Sequence, residues 1–229
     1  MQQITVLSLG GSIIAPEGVD HTFLTQFVAA MEQHLSTHTD HKIILVTGGG
    51  APARMYQSAY KAVCKEPDSA LLDWLGIAAT HLNGTLIRTL FAHYCPDPLV
   101  TDPTAPIDFS GSILVAAGWK PGFSSDTDAV YLAKRFGAHQ VVNLSNIAKV
   151  YTADPKIDPE ATPIDSISWK DFRAMVGETW VPGKNVPFDP IASKMADEAG
   201  LQVICADGRA IDNTFALLRG EHFSGTTIG

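Results

Sequence analysis

Three short segments rich in glycine and serine carry the residues best suited to bind an anion. They are residues 10–12 (GGS), 48–50 (GGG) and 121–126 (PGFSSD). Glycine lets a ligand approach backbone N–H groups closely, and hydroxyls at the start of a helix add further donors. These properties suit a phosphate group. A tight turn would also explain the first segment and helix capping part of the third, whereas three successive glycines are hard to explain by packing alone.

Two cationic side chains accompany these loops. Arg54 follows the second loop by one helical turn, so its planar guanidinium would point back and hold phosphate oxygens through two hydrogen bonds. Lys120 directly precedes the third loop. The first loop has no lysine beside it, and the chain contains neither GxxxxGK[ST] nor GxGxxG, which disfavours those two nucleotide-binding folds. The residues therefore favour a phosphate site whose negative charge is neutralised by groups other than a lysine in the first loop.

Other kinds of site receive little support from the sequence. His34 and His38 have helical metal-ligand spacing, with His41 close by, but no acidic or cysteine partner stands in register. We expect this histidine cluster to be the solvated end of a helix. The chain has no CxxC pair and no GxSxG, and its three cysteines predict reduced thiols in a cytoplasm.

The apolar pattern predicts strands that alternate with helices. This order indicates a mainly parallel sheet with helices on both faces, and it would bring the three loops to one cleft beyond the carboxyl ends of the strands. The segment 150–163 is expected to be mostly loop. Strands are predicted at 4–9, 43–46, 112–116, 140–144, 201–205 and near 226, and helices at 22–35, 53–63, 70–92, 127–136, 169–176, 190–199 and 212–218.

Size and charge limit the possible functions. The chain has 229 residues, of which 45% are hydrophobic and 17% charged, enough for one large α/β domain or two lobes that share a sheet. The net charge of −8 argues against a surface that binds nucleic acid. No apolar run reaches the roughly 18 residues of a membrane span. A small anionic substrate remains compatible, because a pocket's local field can oppose the net charge.

Seven segments along the chain resemble one known family. In order, they are SLGGSII, VTGGGAPAR, LLDWLGIAATHLNGTLI, PGFSSDTDAVYLA, SNIAKVYTADP, PFDPIASKMA and GTTI. Together they are similar to the UMP kinases of the amino acid kinase superfamily, closest to the archaeal-type branch. The resemblance implies a three-layer αβα sandwich with a mainly parallel central sheet, formed by a single domain over 1–229. Its N-terminal lobe, about 1–110, would hold the acceptor, and its C-terminal lobe, about 111–229, would hold ATP.

The resemblance also implies an activity and roles for individual residues. The reaction would be ATP + UMP → ADP + UDP, with Mg²⁺ accompanying ATP, in a cytoplasmic homohexamer without a nucleic-acid or membrane partner. No protein side chain is predicted as a metal ligand. The implied catalytic residues are Arg54, Lys120 and Asp126; the ATP-binding residues are Gly10, Gly11, Ser12, Gly50, Arg54, Ser145, Asn146, Tyr151 and Asp154; and the UMP-binding residues are Gly49, Asp73, Thr80, Asn83, Trp119, Lys120, Pro121, Gly122, Phe123, Ser124 and Ser125.

The chain departs from the family pattern beside the implied adenosine pocket and in the first motif. Where relatives read NVDGVY, Ala148 and Lys149 replace an acidic residue and a glycine, which would alter nucleotide choice or add a positive charge near ATP. Ser8 stands where many relatives carry a lysine, although archaeal-type members also lack it. Two other functions stay open: a non-catalytic nucleotide- or oxyanion-binding storage protein on the same fold, and a kinase with a different acceptor.

Overall fold

A seven-stranded sheet, parallel except at one strand pair, forms the middle of the fold. The computed structural model describes residues 2–155, 157–178 and 186–229. The strands are β1 (Gln3–Leu9), β2 (His41–Thr47), β3 (Ile113–Ala116), β4 (Gln140–Ser145), β5 (Val150–Tyr151), β6 (Pro163–Ile164), β7 (Ser166–Ile167), β8 (Gln202–Asp207) and β9 (Thr226–Ile228). The sheet has the order β3-β2-β1-β4-β8-β9-β7, in which β8 and β9 are antiparallel, while β5 and β6 form a separate antiparallel pair.

In the described residues, eight helices connect these strands. Several begin where a side chain accepts a hydrogen bond from a first-turn N–H group, and these caps set the start of each helix. The capping residues are Asp20, Asp68, Ser124, Ser168 and Asp189. The helices are α1 (Gly11–Ile14), α2 (His21–Thr37), α3 (Gly50–Val63), α4 (Ser69–Leu90), α5 (Ser125–Phe136), α6 (Trp169–Val176), α7 (Pro190–Glu198) and α8 (Ile211–Leu218).

The residues of each central strand alternate between two buried faces. On β1, Leu7 and Leu9 belong to one hydrophobic cluster and Val6 to the other. Helices α2 and α8 cover the first face, where the rings of Phe27 and Phe215 lie 6.0 Å apart. Helices α5, α6 and α7 cover the second face. Burial on both faces explains why the strands read as nearly continuous apolar runs, and it confirms the expected three-layer αβα sandwich.

Most predicted elements agree with the structure within a few residues, and the differences involve short elements. Residues 11 and 12, taken as loop, lie in the single-turn helix α1. The segment 150–163, predicted as mostly loop, contains β5 and reaches the first residue of β6. A strand of two residues is too short to show alternation, so β5, β6 and β7 could not be predicted from the sequence.

The histidine cluster is largely buried, so the expectation of a solvated helix end was wrong for two of its members. His34 and His41 are buried, and His34 Nε2 lies 2.9 Å from His41 Nδ1. His41 Nε2 in turn lies 2.9 Å from Thr5 Oγ1 on β1. Burial, together with the charge of neighbouring histidines, lowers the pKa of both His34 and His41 to about 4. Their contribution to stability is therefore lost as the pH falls from about 6.5 to about 4.

The two predicted lobes share this one sheet. Strand β3 lies beyond residue 110, the predicted lobe boundary, yet it pairs with β2. Strand β4 pairs with β1, and β8 continues the sheet from β4. The predicted lobes would therefore be two parts of one sheet, each holding one of the two ligands. This division stays a prediction.

Candidate functional site

Five parallel strands end at the same edge of the sheet. Leu9 of β1 lies opposite Thr47 of β2 and Leu144 of β4, while Ser145 lies opposite Asp207 of β8. The chain runs from β1 outwards to β2 and β3, and then returns to β4 on the other side of β1. Ligands of parallel α/β sheets bind at such a reversal of strand order. The three predicted anion-binding loops follow β1, β2 and β3 and therefore begin at this edge, as expected.

The first two glycine loops pack directly against each other. A Cβ atom on Gly11 would lie 2.0 Å from the backbone nitrogen of Gly50, and one on Gly48 would lie 2.4 Å from the nitrogen of Gly11. Gly50 also has a φ of +66°, which L side chains rarely adopt. Packing therefore accounts for Gly48 and Gly50, although from the sequence three successive glycines are hard to explain by packing alone. The contact joins the loops after β1 and β2 into one surface.

Thr80 and Asn83 on α4 hold the backbone of the neighbouring loops. The buried Asn83 donates from Nδ2 to the carbonyl oxygens of Gly48, at 2.7 Å, and Gly49, at 3.2 Å. Thr80 Oγ1 accepts a hydrogen bond of 2.8 Å from Gly118 N–H. These polar atoms are engaged within the protein in this structure. A direct contact of Thr80 or Asn83 with UMP stays a prediction, and both residues already position loops at the site.

The loop after β3 lies against α4. Asp73 Oδ2 accepts a hydrogen bond of 3.0 Å from Gly122 N–H, so the structure brings together two predicted UMP-binding residues. The Lys120 ammonium lies over the rings of Trp119, 3.7 Å from the centroid, and Phe123, at 4.9 Å. Ser124 caps α5, and Ser125 is the first residue of that helix. Pro121 lies in the loop, four residues before Ser125. The loop therefore presents an exposed ammonium held by aromatic rings.

Arg54 lies one turn into α3, and its side chain extends to the segment after α1. Its guanidinium is exposed, and Nη2 donates to the backbone oxygen of Pro16 at 3.1 Å. Pro16 lies two residues beyond the end of α1. The guanidinium thus lies beside the segment that follows the first glycine loop. An exposed hydrogen bond of this kind adds little to stability, so the side chain is free to contact a ligand instead.

Asp126 lies on α5 facing the end of β1. Its Oδ1 accepts a long hydrogen bond of 3.4 Å from Ser8 Oγ, and its Oδ2 accepts one of 3.1 Å from Asp189 N–H. Burial and the nearby charge of Asp189 raise the pKa of Asp126 to about 7. The carboxyl group is therefore partly protonated at neutral pH, which weakens its repulsion of a phosphate bound at this edge.

Asp128 lies two residues after Asp126 on α5 and holds the loop after β3. This buried carboxyl accepts a hydrogen bond of 3.2 Å from Trp119 N–H at Oδ2. Its other oxygen, Oδ1, has no hydrogen-bond partner among the residues that the structure describes. Burial and the charges of Asp126 and Asp102 raise the pKa of Asp128 to about 7.

The residues predicted to hold adenosine follow β4. Ser145 ends that strand, and its buried Oγ has no hydrogen-bond partner within the described part of the chain. Asn146 is exposed in the following loop, and Tyr151 lies on β5. Asp154 follows three residues later on the exposed side of the same segment.

The two substituted positions of this segment differ in their surroundings. Ala148 is exposed, whereas the Lys149 ammonium pairs with the exposed carboxylate of Asp165. Lys149 therefore carries a partly neutralised charge in this structure. Gly10, which follows β1, donates its N–H to the carbonyl oxygen of Leu144 on β4 at 2.9 Å.

Comparison with known proteins identifies the fold and its relatives. A model described as the amino acid kinase family matches residues 3–207. The chain belongs to the amino acid kinase family. It is 31% identical over 226 residues to a uridylate kinase of Methanospirillum hungatei, covering 97% of this chain and 93% of the relative. It is 33% identical over 233 residues to a uridylate kinase of Methanocorpusculum labreanum, covering 98% and 94%.

Solved structures agree with these sequence relatives. A uridylate kinase of Archaeoglobus fulgidus superimposes on this amino acid kinase family member with a TM-score of 0.78 at 27% identity, covering 98% of this chain and 99% of the other. A UMP kinase of Ureaplasma parvum reaches the same TM-score at 17% identity, covering 100% and 99%, and shows the shared fold alone. The resemblance to archaeal-type UMP kinases that the motifs indicated is confirmed.

Sequence reasoning missed three residues at the site of this family member. Asp128 and Asp189 flank Asp126 in space, and His81 lies beside Thr80 on α4. Asp128 shares a helical turn with Asp126, and Asp189 caps the start of α7 immediately before Pro190. Within residues 2–155, 157–178 and 186–229, no group of three His, Cys, Asp or Glu side chains could hold a metal ion, and no helix is long and apolar enough to span a membrane.

The raised pKa of Asp128 predicts a pH-dependent stability difference. Because its folded pKa of about 7 exceeds the usual value of 3.8, its ionisation destabilises the fold as the pH rises from about 4 to about 7. We expect the advantage of Asp128→Asn over wild type to grow across this interval by about 1 kcal/mol or more. Urea unfolding at a series of pH values would measure it. A constant difference would contradict the prediction, and Asp108→Asn controls for loss of an exposed carboxylate.

Comparing the variant with wild type is essential because other groups titrate in the same interval. His34 and His41 lose their stabilising contribution as the pH falls from about 6.5 to about 4, which is the opposite direction. Both histidines are present in wild type and in Asp128→Asn. Their contribution therefore cancels in the difference between the two proteins, and what remains belongs to the carboxyl group and its neighbour Asp126.

Proposed function

We propose that this chain is a UMP kinase, which transfers the γ-phosphate of ATP to UMP and releases ADP and UDP. The observation that carries the proposal is the likeness, over nearly the whole chain, to archaeal proteins named uridylate kinases at 31% and 33% identity. The meeting of three loops at one sheet edge supports it, because phosphoryl transfer needs two phosphate groups held close together and in line. The enzyme is then a phosphotransferase of pyrimidine nucleotide biosynthesis.

The two substrates would bind on opposite sides of the reversal between β1 and β4. UMP would lie between α4 and the loop after β3, which Asp73 already joins through Gly122. ATP would lie over the ends of β1 and β4. The donor side then comprises Gly10, Gly11, Ser12, Gly50, Ser145, Asn146, Tyr151 and Asp154, and the acceptor side comprises Gly49, Asp73, Thr80, Asn83 and Trp119 to Ser125.

Charge neutralisation would be the main catalytic task, since phosphoryl transfer requires little covalent chemistry from the protein. Arg54 would exchange its hydrogen bond to Pro16 for the oxygens of the transferred phosphate. Lys120 would offset the charge of the UMP phosphate. The acceptor oxygen belongs to a phosphate that is already anionic, so no strong general base is needed. Asp126 would organise the centre from α5, where its partial protonation at neutral pH limits repulsion.

Magnesium would enter as part of the ATP complex. The ion would be held mainly by phosphate oxygens of the nucleotide. Bound in this way, Mg²⁺ supplies further neutralisation of the phosphate charges. The free thiols Cys64, Cys95 and Cys205 support a reducing cytoplasm, and the family resemblance supports a homohexamer.

An acceptor panel tests the proposal against its alternatives. Release of ADP from ATP would be measured with UMP, CMP, AMP, small carboxylates and carbamate, each at the same concentration. We expect turnover with UMP well above that with every other acceptor. Preference for another acceptor would indicate a different kinase. Absence of turnover with all of them, combined with tight nucleotide or oxyanion binding, would indicate a storage protein.

A further inference from the structure

Gly118, the residue that leads from β3 into the acceptor loop, is held at both of its backbone polar groups by α4. Its N–H donates to Thr80 Oγ1 at 2.8 Å. Its carbonyl oxygen lies 2.7 Å from Nε2 of the next residue on that helix, His81. Because a carbonyl only accepts, Nε2 of His81 must be the donor. Two consecutive helix side chains therefore fix one glycine.

The same peptide unit is also held from the opposite side. The carbonyl of Gly118 and the N–H of Trp119 belong to one planar peptide, and Trp119 N–H donates to Asp128 Oδ2 at 3.2 Å. His81 on α4 and Asp128 on α5 thus bind the two ends of this plane. Glycine has the widest choice of backbone angles, so without such contacts the plane would be free to rotate.

The site leaves little room for another arrangement. A Cβ atom on Gly118 would lie 2.9 Å from Thr80 Oγ1, which shows how closely the loop approaches α4. Further along the loop, Gly122 N–H is bound by Asp73 of the same helix. Lys120, whose ammonium covers the Trp119 ring, lies between these two anchored points. The direction of the peptide after Gly118 therefore sets the course of the backbone that carries Trp119 and Lys120.

We propose that His81 is a positioning residue for the acceptor phosphate, which it serves by fixing the peptide plane between Gly118 and Trp119. This inference rests on the proposed function in so far as the loop 119–125 binds UMP. His81 does not itself contact the phosphate. It keeps the backbone and the Lys120 ammonium in the binding arrangement before the substrate arrives, so less ordering remains to be done on binding.

Three variants test this role. His81→Ala removes the donor, His81→Gln restores an N–H donor at a similar reach, and His93→Ala removes an exposed histidine just beyond α4 as the control. We expect His81→Ala to raise KM for UMP about tenfold, which corresponds to one hydrogen bond, and to change KM for ATP and kcat by less than about twofold. His81→Gln is expected to recover most of the loss.

Hydrogen exchange supplies a second measurement that needs no turnover. Peptides that cover residues 117–125 should exchange faster in His81→Ala than in wild type, His81→Gln or His93→Ala, while peptides from β4 and β8 stay unchanged. Unchanged exchange in 117–125, or an equal rise in KM for both substrates, would overturn the proposal. A wild-type protein that does not phosphorylate UMP would refute the proposed function, and the exchange result would still decide whether His81 holds the loop.

Discussion

Replacing Arg54 with alanine is expected to lower kcat/KM by about 10²–10³-fold, the usual effect of losing one preorganised donor to a transition state. Arg54 lies one turn into α3, and its guanidinium contacts Pro16 just after α1. Its hydrogen bond to Pro16 is exposed, so the free energy of unfolding should change by no more than about 0.5 kcal/mol. Steady-state kinetics combined with urea unfolding would separate the two effects.

Two further variants sharpen the interpretation of Arg54. Arg54→Lys keeps the charge but loses the planar fork, so we expect its kcat/KM to lie between those of wild type and Arg54→Ala. Lys61→Ala removes an exposed cation from the last turn of the same helix and should leave the kinetics unchanged. If folded Arg54→Ala shows wild-type kinetics, Arg54 has no catalytic role.

Placing a side chain on Gly11 is expected to destabilise the fold by about 3 kcal/mol or more, or to prevent folding. The Cβ of Gly11→Ala would lie 2.0 Å from the nitrogen of Gly50 and 2.7 Å from the carbonyl carbons of Gly48 and Gly49. All of these are backbone atoms of the neighbouring loop, so no flexible side chain can move aside. Urea unfolding, with circular dichroism to verify secondary structure, would measure the loss.

Gly18 provides the matched control for this prediction. It lies in the same part of the chain, between α1 and α2, and a Cβ atom there would meet nothing within 4 Å. Gly18→Ala is therefore expected to change the free energy of unfolding by no more than about 0.5 kcal/mol. Equal stability of Gly11→Ala and Gly18→Ala would show that the two glycine loops do not pack as described.

The order of strands and helices was readable from the sequence because burial on both sheet faces makes the strands continuous apolar runs. The same order predicted that the loops after β1, β2 and β3 meet at one edge. The contact of Gly11 with Gly48 and Gly50 could not be predicted, since it joins residues almost forty positions apart and glycine runs look alike whether they bind a ligand or pack. Only the coordinates distinguish these cases.

Polar residues were the least predictable part of the site. The lack of an acidic or cysteine partner near His34 and His38 led to the expectation of a solvated helix end. Nothing in the sequence reveals that His41 on β2 and Thr5 on β1 supply buried partners. Asp189 lies more than sixty residues from Asp126, yet its N–H donates to the Asp126 carboxyl, whose pKa is raised mainly by burial. Such effects depend on tertiary contacts that no local pattern records.

In the proposed mechanism, neighbouring groups take the place of a lysine beside the first loop. Arg54 follows the second loop and Lys120 precedes the third, and both are exposed. Asp126 is partly protonated at neutral pH, which lowers the positive charge needed there. We therefore propose that the first loop takes part in phosphate binding while Arg54 and Lys120 supply the cations.

Following the reaction by ³¹P nuclear magnetic resonance tests the central claim most directly. The purified protein would be incubated with ATP, Mg²⁺ and UMP, and the phosphorus signals of both nucleotides would be recorded over time. We predict that the UMP signal is replaced by the two signals of UDP while an equal amount of ATP becomes ADP. Formation of ADP without UDP, or unchanged signals under conditions in which both nucleotides bind, would contradict the account.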